Sequence, residues 1–166
     1  MWPTLAETLR PHVAIYVRLA LAAGFLTSVS DRLGLWGPSG TANVAWGTFQ
    51  RFEAYTGQLN PWAPAPLIPP LAWFVTVAEI VFGIALLLGL RTRDVALASG
   101  VLLGLFGLGV TVGTGLKSAL NYSVFAASAG AFALATERSY RWSLDALLAS
   151  RGRGEGEAFR RKKTAA

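Results

Sequence analysis

The sequence predicts an all-α membrane protein, a transmembrane bundle of four helices, and three observations carry that expectation. Hydrophobic residues make up 53% of the chain and charged residues only 14%, well under the roughly 25% charge of soluble domains. The apolar residues fall in long blocks, and a helix needs a run of about 18 or more of them to cross a hydrocarbon layer of roughly 30 Å. Lysine and arginine are shared unequally between alternate connections, the asymmetry that orients membrane helices.

The first block spans about residues 12–30, reads HVAIYVRLALAAGFLTSVS and is interrupted by Arg18. A secretory signal is the alternative reading of this block. Arg18 would then sit inside its apolar region, and LTSVSDR offers no A-x-A cleavage site, so a retained helix is expected. The second block, 71–90, is apolar apart from Thr76, two glycines and Glu79. The third, 95–115, lies in the charge-free interval between Asp94 and Lys117, and the fourth, 119–136, in that between Lys117 and Glu137.

Four spans place both termini on one side. That side receives Arg10, Arg91, Arg93, Arg138 and Arg141 with the basic residues of the tail, against Arg32, Arg51 and Lys117 on the other. Both termini are therefore expected in the cytoplasm, with the segment from Asp31 to Pro70 facing outward. Trp36, Trp62, Trp73 and Trp142 fall near the helix ends, where indole rings favour the membrane interface.

Within the outer segment, NVAWGTFQRFEAYTGQLN is expected to carry a short helix with Val44, Phe49 and Phe52 toward the membrane surface. PWAPAPLIPP, with five of the eight prolines, reads as an extended strap into the second span. Past Ala135, Ser143 is placed to cap a cytoplasmic surface helix with Leu144, Leu147 and Leu148 on one face. Residues 1–150 thus form one transmembrane domain. Residues 151–166, rich in glycine and charge, are expected to be a disordered cytoplasmic tail whose RRKK run attracts anionic headgroups.

The chain has no cysteine and one histidine, His12, so disulfides, thiolate chemistry and a two-histidine metal site within one chain are excluded. No covalently attached or metal-held cofactor is expected. The glycines of the third block form two G-x-x-x-G spacings, Gly100 with Gly104 and Gly109 with Gly113, which allow close helix approach in lipid. A phosphate loop is not a competing reading, because the preceding strand and the lysine are missing.

Arg18 and Glu79 are the candidate functional residues, since a charge within the hydrocarbon costs a few kcal/mol without a partner. At about 1.5 Å per residue they lie ~10 Å and ~16 Å from the inner ends of their helices. The expectation is an ion pair between them. It either fixes helix register or holds a carboxylate ready for a proton, a quinone or a cationic ligand; the third reading is a Glu79 that is simply protonated and hydrogen-bonded. Asp31, Arg32, Lys117 and Asn121 lie near the outer face, where interfacial hydrogen bonding is the plain reading and ligand contact the functional one.

VRLALAAGFLTSVSDRLG, AEIVFGIALLLGLRTRDVAL and SYRWSLDALL occur here in the order seen in the DoxX-like family of four-helix bacterial membrane proteins, which the chain resembles. Arg18, Glu79 followed by Gly83 and LLLGLRTR, and the SLD after the last helix carry the resemblance, with Arg91 and Arg93 as further matches. It implies a bacterial inner-membrane protein related to subunits of membrane redox systems, including quinone-linked thiosulfate oxidation.

Three functions follow as expectations. The first is an accessory or quinone-interacting subunit of a membrane oxidoreductase, with quinone as the one cofactor in view and the redox-complex subunits and the lipid bilayer, not nucleic acid, as partners. The second is a non-enzymatic scaffold that binds other membrane helices. The third is a small transporter, which the lack of paired interrupted helices disfavours.

Overall fold

The computed structural model describes residues 4–150, and the basic tail expected at 151–166 lies outside them. Among the described residues the chain is helical and without strands. Helix α1 runs Leu5–Arg32, α2 Phe49–Leu59, α3 Ile68–Leu88, α4 Thr92–Thr114, α5 Leu116–Asn121 and α6 Val124–Ala135. Helical turns over residues 144–150 follow.

Three segments, Glu7–Arg32, Ala65–Leu88 and Thr92–Thr114, are long and apolar enough to cross a membrane. α1 begins earlier than the apolar block suggests, because Thr4 and Glu7 form a reciprocal capping box at its start that satisfies two otherwise orphaned donors. Pro11 is accommodated inside it. The strap expected before α3 is instead a 3-10 turn, Ala65–Leu67, running directly into the helix. Proline is tolerated in a first helical turn, where no intrahelical partner is lost.

The fourth block is not one helix. Ser123 takes a left-handed conformation (φ 54°) between α5 and α6, and α6 with its 12 residues spans only about 18 Å.

Packing is closest within two pairs, α1 with α3 and α4 with α6, while α2 lies across α3 and α4. Glycine sets both close approaches. On α3, a Cβ at Gly83 would lie 2.9 Å from Leu26 of α1. On α4, Cβ atoms at Gly100 and Gly107 would lie 2.8 Å from Phe132 and 2.7 Å from Phe125. Across the same seam Ser128 donates to the Gly100 carbonyl at 2.7 Å. The second G-x-x-x-G spacing faces elsewhere: Gly109 and Gly113 pack on α2, with the Gln58 carbonyl 2.5 Å from a Cβ at Gly113.

Candidate functional site

α1 ends in two adjacent residues, Asp31 and Arg32, that divide the work of closing the end of the bundle where α2 lies. Asp31 accepts hydrogen bonds from the main-chain N–H groups of Ala45 (2.8 Å), Trp46 (3.2 Å) and Gly47 (3.0 Å). Gly47 is left-handed (φ 68°) and sits against Pro38 and Ser39 of the same loop, too close for a Cβ. Three charge-assisted bonds to one carboxylate fix the loop.

Arg32 turns inward. Only 1% of it is exposed, and its guanidinium meets the Glu79 carboxylate at 2.7 Å and donates to Thr76 Oγ1 at 2.8 Å. Thr76 in turn donates to the Ala72 carbonyl. The Phe52 ring of α2 lies 3.6 Å from the guanidinium carbon and Trp46 5.3 Å, so a cation–π shell supports the charge where water does not.

The expected Arg18–Glu79 pair is therefore corrected: the partner of Glu79 is Arg32. Arg18 turns to the opposite end of the bundle, donating to the Trp142 carbonyl at 2.6 Å and reaching the Arg141 carbonyl at 3.5 Å. The reason is direction as well as depth. Helical side chains lean toward the helix N-terminus, which carries Arg32 back toward Glu79 from the C-terminal end of α1 and Arg18 away from it, toward the N-terminal end.

α2 shows a related inversion. Phe52 is buried on Arg32, and Phe49 stacks on Trp73 with ring centroids 4.3 Å apart. The apolar face expected on the membrane surface thus turns onto the bundle, where it covers the ion pair.

Beneath this cover lies a cavity of about 700 Å³ bounded by α1, α2, α3 and α4, with Val124 and Ala127 of α6 completing its wall. Phe25, Phe52, Phe74, Leu103 and Phe106 give it apolar walls, and Arg32 and Glu79 are the only charged residues among the described residues that line it. Tyr122 borders it too, whereas Lys117 and Asn121 are exposed and stand outside its lining. Burial holds the nearby Tyr55 hydroxyl above its ordinary pKa, with Tyr122 adding to the shift.

The opposite end, around Arg18, is built from different parts. Asp145 accepts from the main-chain N–H groups of Arg91 (2.7 Å) and Thr92 (2.8 Å), capping α4 from a distant segment, and its own N–H returns to the Gly89 carbonyl. Arg91 (φ 46°) and Trp142 (φ 53°) are left-handed in this knot. Ser143 caps the last helical turns through the Ala146 N–H. Tyr140 donates to the Leu134 carbonyl, and burial raises its pKa. Arg91 pairs with Asp94 at the surface, and Arg93 is exposed.

The residues that sequence reasoning missed are Arg32 as the partner of Glu79 and Asp145 as a cap. A signal existed for the first. Arg18 and Arg32 are separated by about four helical turns, so both lie on one face of α1 and either one had a claim on Glu79.

The family model DoxX matches residues 13–114. The chain belongs to the DoxX family. Curated proteins and solved structures yield no match. The DoxX match contains Arg18, Asp31, Arg32 and Glu79, and with them the ion pair and most of the cavity wall; α6 and the Asp145 cap fall outside it. This DoxX chain carries no cluster of metal-ligating side chains among its described residues.

Proposed function

We propose that this DoxX protein is a quinone-interacting accessory subunit of a membrane redox system, and that its cavity takes the quinone headgroup against Arg32 and Glu79. The carrying observation is one apolar cavity of about 700 Å³ that ends on a buried ion pair. Small-molecule sites have this make-up, mostly apolar walls with a few fixed polar groups. A quinone divides in the same way, into a ring with two hydrogen-bond acceptors and an isoprenoid tail.

The residues fit such a headgroup. Arg32 Nε is buried and has no partner among the described residues, so the guanidinium has a donor in reserve for a ring carbonyl. Glu79 supplies an acceptor for the hydroxyl of the reduced form, and Thr76 and Phe52 hold Arg32 in place. Redox centres come from a partner protein on this reading.

The architecture that goes with it is a four-helix bundle in the bacterial inner membrane, with α5 and α6 together making the fourth crossing. Both termini are cytoplasmic, because the knot at Arg91 and Arg141 carries the larger share of basic residues.

The test is quinone content after mild detergent extraction, measured by mass spectrometry on the native chain and on Glu79→Gln. Bound quinone in the native protein, lost in a folded Glu79→Gln variant, is the expected result. Equal quinone in both would remove the role given to Glu79. A co-purifying protein partner with no quinone in either sample would favour the scaffold reading.

A further inference from the structure

The cavity has two boundaries of opposite character. On the outer side α2 and Trp46 cover it, and Asn60 with the exposed Trp62 and Tyr122 lines the edge of that cover. Phe52, Thr56 and Leu59 of α2 are buried over it, and Trp46, which also lines it, meets Phe52 edge-on at 5.2 Å and Tyr55 at 6.1 Å. The loop that presents Trp46 has three successive N–H groups committed to Asp31.

Between α3 and α4 the boundary is different. Phe74 on α3 and Leu105, Leu108 and Val112 on α4 line the cavity and are each more than half exposed. Phe74 and Leu108 each lie six residues from the outer end of their helix, a depth of about 9 Å. An opening there faces hydrocarbon, not water. Along that gap the lining is apolar, with Asn60 and Tyr122 standing at the α2 end of the cavity, whereas a path for a water-soluble solute would need polar groups along it.

We propose that the cavity receives its occupant sideways from the bilayer, through the gap between α3 and α4, while loop 45–47 keeps outer water from the Arg32–Glu79 pair. Asp31 is the positioning residue for that closure. The occupant is then a lipid-phase amphiphile, with its head at the ion pair and its chain leaving past Phe74 and Leu108. The inference rests on the quinone reading only for the identity of that amphiphile. The physical logic is that closure on the water side preserves the low dielectric that makes one ion pair a strong recognition element.

The absence of native cysteine makes a direct test practicable. A nitroxide is attached at Ser28→Cys, inside the cavity lining, and in a parallel sample at Thr41→Cys, on the exposed outer loop. Both are reconstituted in phospholipid vesicles. Collisions with oxygen, which concentrates in lipid, are compared with collisions with a neutral nickel chelate, which stays in water.

The label at position 28 should relax with oxygen and hardly with nickel. Asp31→Ala should raise the nickel effect toward the level at position 41. Trp46→Ala, which leaves all three Asp31 bonds available, should raise it too, so a folding defect in the Asp31 variant does not decide the outcome. The proposal is overturned if nickel reaches position 28 in the native background as readily as position 41. It is equally overturned if Trp46→Ala, correctly folded, leaves the label dry.

Added decyl-ubiquinone provides the separate check on occupant identity. Protection of the label from oxygen supports the quinone reading. No protection, with the nickel result intact, sinks that reading and leaves the lateral route standing.

Discussion

Arg18 and Arg32 belong to one helix and are both almost wholly buried, yet their surroundings have little in common. Arg18 is answered by main-chain carbonyls of the segment that follows α6, within a knot that leaves no room for a methyl group at Gly89. Arg32 is answered by side chains, Glu79 and Thr76, and borders a cavity. A charge held by main chain against a filled space stabilises one arrangement of the polypeptide. One held by ionisable side chains beside an empty volume is available to a ligand, because a buried pair in hydrocarbon is strengthened by any further hydrogen bond that completes it.

The sharpest way to break this contrast is at the Arg18 end. Gly89 is left-handed (φ 68°), and a Cβ there would collide with the Ser143 side chain and approach the Arg18 guanidinium at 2.7 Å. Gly89→Ala is expected to cost more than about 4 kcal/mol, among the largest losses seen for single substitutions. It would be read as loss of folded monomer after detergent extraction, with no gain from added quinone. A well-folded variant would mean that the knot has slack.

At the Arg32 end the expected loss is smaller and reversible. Removing the charge in Glu79→Gln leaves Arg32 buried without its counter-charge, a penalty of about 3 kcal/mol in thermal unfolding. The double variant Arg32→Met with Glu79→Met should recover most of that stability, as buried ion pairs commonly tolerate apolar replacement, while quinone retention is lost. Stability and binding that fall and recover together would erase the distinction between the two ends.

The smallest of the three effects concerns Asp145. Asp145→Ala removes an acceptor from two main-chain donors at the start of α4, with an expected loss of about 1 kcal/mol. Hydrogen exchange should accelerate at Arg91 and Thr92 and stay unchanged at Ala45 to Gly47, where Asp31 plays the parallel part. Faster exchange at both ends would show that the two knots open as one unit.

The membrane helices were legible because a charge-free run long enough to cross hydrocarbon has few other uses, and Glu79 was legible as an anomaly for the same reason. Helix ends were less so. Thr4 with Glu7 extended α1 and Pro69 with Pro70 fitted a first turn, both local devices that an apolar block does not reveal. The break at Ser123 falls inside the charge-free interval between Lys117 and Glu137, so the charge pattern gives no sign of it.

Alone, the sequence determined that this chain lives in a membrane and that its few intramembrane charges need answering, because both follow from the cost of placing polar groups in hydrocarbon. Only the tertiary structure decided which charge answers which, and whether space is left beside them. Those depend on the direction a side chain leaves its helix and on how closely glycine lets two helices approach, neither of which residue order encodes along one dimension.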